Sequence, residues 1–149
     1  MSSRRAAQIL AAVLALGMGC SAPPVEDRIA IRDASVSIEV AETPSDQQRG
    51  LGRRDDLPWN SGMLFVYDTP AHINMWMKDM RFDIDIVWIR ENRIVDMAWR
   101  ARHAVPEPLP IYRPRQPADM VLEVPAGYAE ANGWRIGDAV RLERAPSIP

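Results

Sequence analysis

Between residues 35 and 142 the chain is divided into apolar runs too short to build a helical core but of the right length and pattern for strands. Val36, Ile38 and Val40 alternate with Ser35, Ser37 and Glu39, the period of a half-buried strand. Residues 63–67, 73–77, 82–89, 94–99, 120–124 and 139–142 follow, each apolar or alternating and separated by Gly, Pro, Asp and Asn. Glu91-Asn92 predicts the hairpin turn between two of these runs. Thr43-Pro44, Asp46 and Gly50 supply a cap, a proline at the first helical position and a terminal glycine, which predict a short helix. A second short helix fits 126–132, capped by Gly133. With no long amphipathic helix and no internal repeat, the pattern predicts a mainly β fold. It is a single strongly curved or closed, antiparallel-rich sheet, barrel-like, with two short helices. Closure leaves the fewest exposed edges.

Residues 104–117 break the pattern. Pro106, Pro108, Pro110, Pro114 and Pro117 suit neither a helix nor a strand interior. A loop of this length in a compact domain is a candidate surface for a protein partner.

The start of the chain reads as an export signal. Arg4 and Arg5 precede an apolar run from Ile9 to Leu16, then Gly17-Met18-Gly19-Cys20. The run is far shorter than the roughly 20 residues that span a bilayer. Cys20, the only cysteine, stands where a bacterial lipoprotein signal places its acylated residue, after Gly19. The division expected is a signal peptide over 1–19, a lipid-anchored tether over 20–33, one β-rich domain over 34–144 and a flexible tail over 145–149. That places the domain in the cell envelope, facing the periplasm and held to the membrane through its lipid alone. Plain secretion after ordinary cleavage is the alternative.

The chain has 18 basic and 20 acidic residues, and losing Arg4 and Arg5 with the leader leaves 16 against 20, a net charge of −4. A mildly acidic domain has no electrostatic footprint for nucleic acid. With one cysteine no intrachain disulfide forms, so stability rests on packing.

Several short motifs occur in a fixed order: Arg49-Gly50-Leu51, Gly62-Met63-Leu64-Phe65-Val66-Tyr67, Trp76-Met77-Lys78, Asp85, Leu122-Glu123-Val124, Gly127 and Gly137-Asp138. Together they resemble domain-of-unknown-function family 192, small and often exported proteins of bacteria and archaea. Gly52, Asp79 and Asp83 depart from that family's usual Met, Asn and Pro. The resemblance implies a β-rich fold and export, and no activity.

Chemistry concentrates between His72 and Asp85. In a strand, Ile73, Met75 and Met77 share one face, and His72, Asn74, Trp76 and Lys78 the other. An aromatic plane between amide and ammonium donors suits a small polar, saccharide-like ligand. The plainer alternative packs Trp76 under the proline-rich loop. Asp85, in an apolar run, needs a partner, and Arg49 and Lys78 are the cations expected to pair with it. Asp83 and Asp85, two residues apart on one face, are the candidates for a glycosidase-type carboxylate pair. Glu123 faces either a pocket or solvent. His72, Met75, Met77 and Met80 offer ligands suited to Cu(I), although methionine as core filler explains Met75 and Met77 equally. No cofactor is expected. Nucleophile-elbow, phosphate-loop and zinc-protease motifs are absent. The expected function is a non-catalytic envelope binding or accessory module, with ligand contacts at Arg49, Trp76, Lys78, Asp85 and Glu123. A carboxylate-dependent hydrolase of envelope polymers and a Cu(I) carrier are the alternatives.

Overall fold

The computed structural model describes residues 26–143; the leader, Cys20 and the tail expected over 145–149 lie outside the described residues. The elements run β1 (Arg28–Ile31), β2 (Ala34–Ala41), α1 (Pro44–Arg49), β3 (Ser61–Ala71), β4 (Met75–Trp76), β5 (Ile84–Arg90), β6 (Arg93–Ala101), β7 (Ile111–Tyr112), β8 (Ala118–Pro125), α2 (Tyr128–Ala131) and β9 (Val140–Glu143).

Seven strands form one sheet in the order β6-β5-β8-β3-β2-β1-β9. Every pairing is antiparallel except β2 with β3, whose parallel alignment requires a crossover that α1 supplies. The sheet curls into a half-barrel whose two ends meet at a single bridge, Arg93 with Ala139. Hydrogen bonds from Ile94 N–H to the Asp138 carbonyl (3.0 Å) and from Gly137 N–H to the Ile94 carbonyl (2.8 Å) hold that seam. The β5–β6 hairpin turns at Glu91 (φ 49°) and Asn92 (φ 57°), the two left-handed residues of a type I′ turn, as expected.

Each face of the sheet carries a core. Inside the curl, Ile29, Val36, Leu64, Val87, Ile89, Leu122, Val124 and Val140 pack with Tyr128 and Trp134 at the α2 end. On the outer face, Met63, Phe65, Ile84, Ile86, Trp88 and Val121 are covered by Leu51, Ile73, Met75 and Met77. Strand β5 is therefore covered on both sides, which explains its nearly unbroken apolar sequence.

Local signals place both helices. Thr43 caps α1 by accepting the Asp46 N–H (3.2 Å), Pro44 begins the helix and Gly50 ends it. Helix α2 is shorter than the expected 126–132 and starts after Gly127 at φ 86°.

Three expectations need correction. The tether expected over 20–33 includes β1, in which Ile29 and Ile31 are 0% exposed, so the folded domain begins before residue 34. Two inward isoleucines between Arg28 and Arg32 are too brief a pattern to stand out. Of 73–77 only Met75 and Trp76 are in strand, although the alternation of faces holds. The proline-rich loop does contribute a strand: Ile111–Tyr112 pairs with β4, and Pro110 and Pro114 both stand outside the paired dipeptide.

Gly62 marks a close approach of β3 to β8. A Cβ there would stand 2.6 Å from the Glu123 carbonyl oxygen and 3.2 Å from a Val124 methyl. Gly62→Ala should therefore destabilise by about 1–3 kcal/mol through overpacking, read as a lowered urea midpoint. An unchanged midpoint would show that the two strands separate freely.

Candidate functional site

The outer face carries a cleft between α1 and the segment around β4. Gln47 fixes α1 on the sheet, its Nε2 donating to the carbonyls of Ala41 (3.2 Å) and Val66 (2.7 Å). The β4 segment is pinned by Trp88, whose Nε1 donates to the Ile73 carbonyl at 2.8 Å. Burial of Met75 and Met77 then turns Asn74, Trp76 and Lys78 outward.

The cleft has a volume of about 490 Å³, with Gln48, Arg49, Arg53, Trp76, Lys78 and Asp79 in its walls. It leads into a recess of about 90 Å³ that shares Gln48, Arg49, Gly52, Trp76 and Lys78 and reaches Tyr67, Asn74 and Glu123. At the mouth Arg49 pairs with Asp46 (2.5 Å) and Arg53 with Asp79 (3.3 Å). Lys78 has no carboxylate partner among the described residues; its Nζ lies 5.6 Å from the centroid of the Trp76 ring, a cation–π contact. The mouth is thus lined by three cations, only two of them matched by carboxylates.

Glu123 lies in β8 between Met63 of β3 and Ile86 of β5, both apolar. It is 4% exposed, and its Oε2 has no hydrogen-bond partner among the described residues. Burial pushes its carboxyl up to about 8, so at neutral pH it is held mainly as the neutral acid. Tyr67 is raised as well, by burial first and then by the Glu123 charge.

The structure brings together Arg49, Trp76, Lys78 and Glu123, four of the five residues expected to contact a ligand. Asp85 is elsewhere. It shares the inner face of β5 with Val87 and Ile89, and is 1% exposed. Its Oδ1 accepts the Arg100 N–H (2.8 Å), and its Oδ2 accepts those of Gly127 and Ala129 (3.0 Å each). The expected pairing with Arg49 or Lys78 is therefore corrected: the Asp85 hydrogen-bond partners are main-chain donors, one in β6 and two at the start of α2. The pairing fails because Asp85 and the cleft are on opposite faces of the sheet.

Asp83 accepts the His103 N–H (2.9 Å) and bonds its Nδ1 (2.6 Å). Burial raises the Asp83 carboxyl, but these bonds and the His103 and Arg102 charges outweigh it and hold it below the ordinary value. The two aspartates are thus committed to separate donors. His72, exposed, bonds the Pro114 carbonyl through Nδ1 (3.1 Å). Met75 and Met77 belong to the outer core, and Met80 packs against it and lines the recess. Among the described residues no group of three or more His, Cys, Asp and Glu could hold a metal ion.

Tyr67 is the site residue that the sequence reading passed over. The alternation Met63, Phe65, Tyr67 puts it on one face, and the register of Met63 with Glu123 makes that the glutamate's face.

No curated protein matches the chain. Two crystal structures resemble it. One is a candidate transcription regulator from Sinorhizobium meliloti 1021, 28% identical, with a TM-score of 0.71, covering 78% of this chain and 92% of that one. The other is a protein of unknown function from Novosphingobium aromaticivorans DSM 12444, 26% identical, with a TM-score of 0.69, covering 76% and 83% respectively. The sequence matches DUF192, described as "Uncharacterized ACR", over residues 27–142, the whole of the half-barrel, and the chain therefore belongs to the DUF192 family.

Proposed function

We propose that the protein is a binding module for a small polar, anionic ligand, taken into the cleft between α1 and β4. The observation that carries this is Glu123, a buried carboxyl with an unpartnered oxygen at the end of a recess that opens onto Arg49 and Lys78. Burying such a group without a partner is costly, and a ligand that hydrogen-bonds it recovers that cost. Trp76, 55% exposed at the mouth, offers a flat apolar surface to a ring. The leader and Cys20 support placing this module in the envelope.

Hydrolysis by a carboxylate pair has less support, because Asp83 and Asp85 are held by other donors and the recess has one carboxyl. The regulator description belongs to the Sinorhizobium protein. The helices described here, six and four residues long, are too short to serve as a recognition helix.

Titration with glucuronate, followed by tryptophan fluorescence, tests the proposal. Saturable quenching is expected, weakened about tenfold to a hundredfold in the Arg49→Ala, Lys78→Ala double variant through loss of charge-assisted hydrogen bonds. Absence of saturation, or binding indifferent to the double variant, would refute it.

A further inference from the structure

The inner end of the site has its own ligand preference, separable from that of the mouth. The recess, about 90 Å³, has room for roughly three waters at their liquid share of about 30 Å³ each. It therefore suits one substituent rather than a ring, while the larger cleft outside suits the body of a ligand. The chemistry of the two ends is opposite. At the mouth are Arg49, Arg53 and Lys78, and Lys78 has no carboxylate partner among the described residues. At the inner end is the buried Glu123 carboxyl, with Oε2 unpartnered among the described residues, and the half-buried Tyr67 lines the same recess.

Neither cation shared by cleft and recess satisfies the glutamate. Arg49 points to Asp46, and Lys78 stands over Trp76. The glutamate's neighbours in the sheet, Met63 and Ile86, carry no charge. The unmet acid and the cationic mouth thus stay unpaired with each other among the described residues, and a ligand with two complementary ends can join them.

We infer that the ligand is an amino acid in the chemical sense, a zwitterion whose ammonium enters the recess against Glu123 while its carboxylate remains with Arg49 and Lys78. This rests on the proposed binding function and names the ligand class for it. An ammonium supplies three donors and a positive charge to a carboxyl surrounded by apolar strands, a stronger partner than a hydroxyl. Because Glu123 is held neutral without ligand, accepting an ammonium favours its ionised form, and binding releases its proton. Among the described residues the charged and titratable groups facing the recess besides Glu123 are Arg49 from α1, Tyr67 from β3 and Lys78 beyond β4, so Glu123 is the one carboxyl of that set.

Four related sugars separate the two ends: glucose, glucosamine with an amine, glucuronate with a carboxylate, and muramic acid with both. Calorimetric titrations at about pH 6.5, in two buffers of different ionisation enthalpy, read affinity and proton release together. Muramic acid should bind at least about tenfold more tightly than glucuronate or glucosamine and release close to one proton. In Glu123→Gln its affinity should fall to that of glucuronate, with no proton released. Glucuronate binding as tightly as muramic acid, without proton release, would overturn the zwitterion and leave the anion-binding function standing. Failure of both acids to bind would overturn both.

Discussion

Between about pH 5 and pH 8 the protein is expected to lose about 3–4 kcal/mol of folding stability, and Glu123→Gln to remove most of that loss. In the folded state burial raises the Glu123 carboxyl from 4.5 to about 8. Unfolding restores its ordinary value, so within that interval the native state holds a proton that the unfolded state lacks. Stability then falls with rising pH by about 1.4 kcal/mol per unit. The contribution is fully present below about pH 4.5 and lost as pH rises through about 8. Asp83 acts in the opposite sense, as does Asp96 of β6, held below the ordinary carboxylate value by its hydrogen bonds from Arg115 against the effect of burial; both lose their contribution as the solution is acidified. The wild-type profile should therefore peak in mild acid. Glutamine cannot ionise, so the variant should keep its stability toward pH 8 and exceed wild type there by several kcal/mol. Urea midpoints measured across the range test this. Superimposable profiles for the two proteins would show that Glu123 titrates as an ordinary exposed carboxylate.

Asp85→Ala should cost about 3–5 kcal/mol, seen as a large fall in the urea midpoint. The substitution strands three main-chain N–H groups, those of Arg100, Gly127 and Ala129, where the side chain is almost wholly buried. Each hydrogen bond contributes about 0.5–1.5 kcal/mol, and each buried donor left without a partner costs about 1–3 kcal/mol. Their losses overlap, because Gly127 and Ala129 share one oxygen and α2 relaxes as a unit. Asp85→Asn should be intermediate. Its amide oxygen still serves the two α2 donors, but its NH₂ meets the Arg100 N–H donor to donor. Unchanged midpoints in both variants would mean that this end of the barrel is held by the packing of Tyr128 and Trp134 alone. Neither substitution touches the cleft, so ligand binding by the folded Asp85→Asn protein should match wild type.

Much of the architecture is legible one segment at a time. The cap and proline of α1, the two left-handed residues at Glu91-Asn92 and the alternation along β2 depend on interactions within a few residues. The outward row of Asn74, Trp76 and Lys78 follows from strand periodicity, and persists although only two residues of that run are paired. Even so, β1 escaped notice, because four residues carry too little pattern and its pairing with both β2 and β9 makes it part of the core.

The sequence by itself determined a curved β sheet with two short helices, and put Arg49, Trp76 and Lys78 among the candidates together with two carboxylates, Asp85 and Glu123. Only the tertiary structure decided which carboxylate joins them. Asp85 and Glu123 both occupy apolar runs, and both require an answer to the cost of burial. The answer differs because β5 turns Asp85 inward, toward N–H groups 42 and 44 residues away, while β8 turns Glu123 outward beneath α1. Main-chain donors occur at almost every residue, so nothing in the sequence marks the ones that hold Asp85. Desolvation depends on what covers a face, so the sequence leaves Glu123 facing either a pocket or solvent, and its burial is decided only once Met63 is in register with it and α1 has docked.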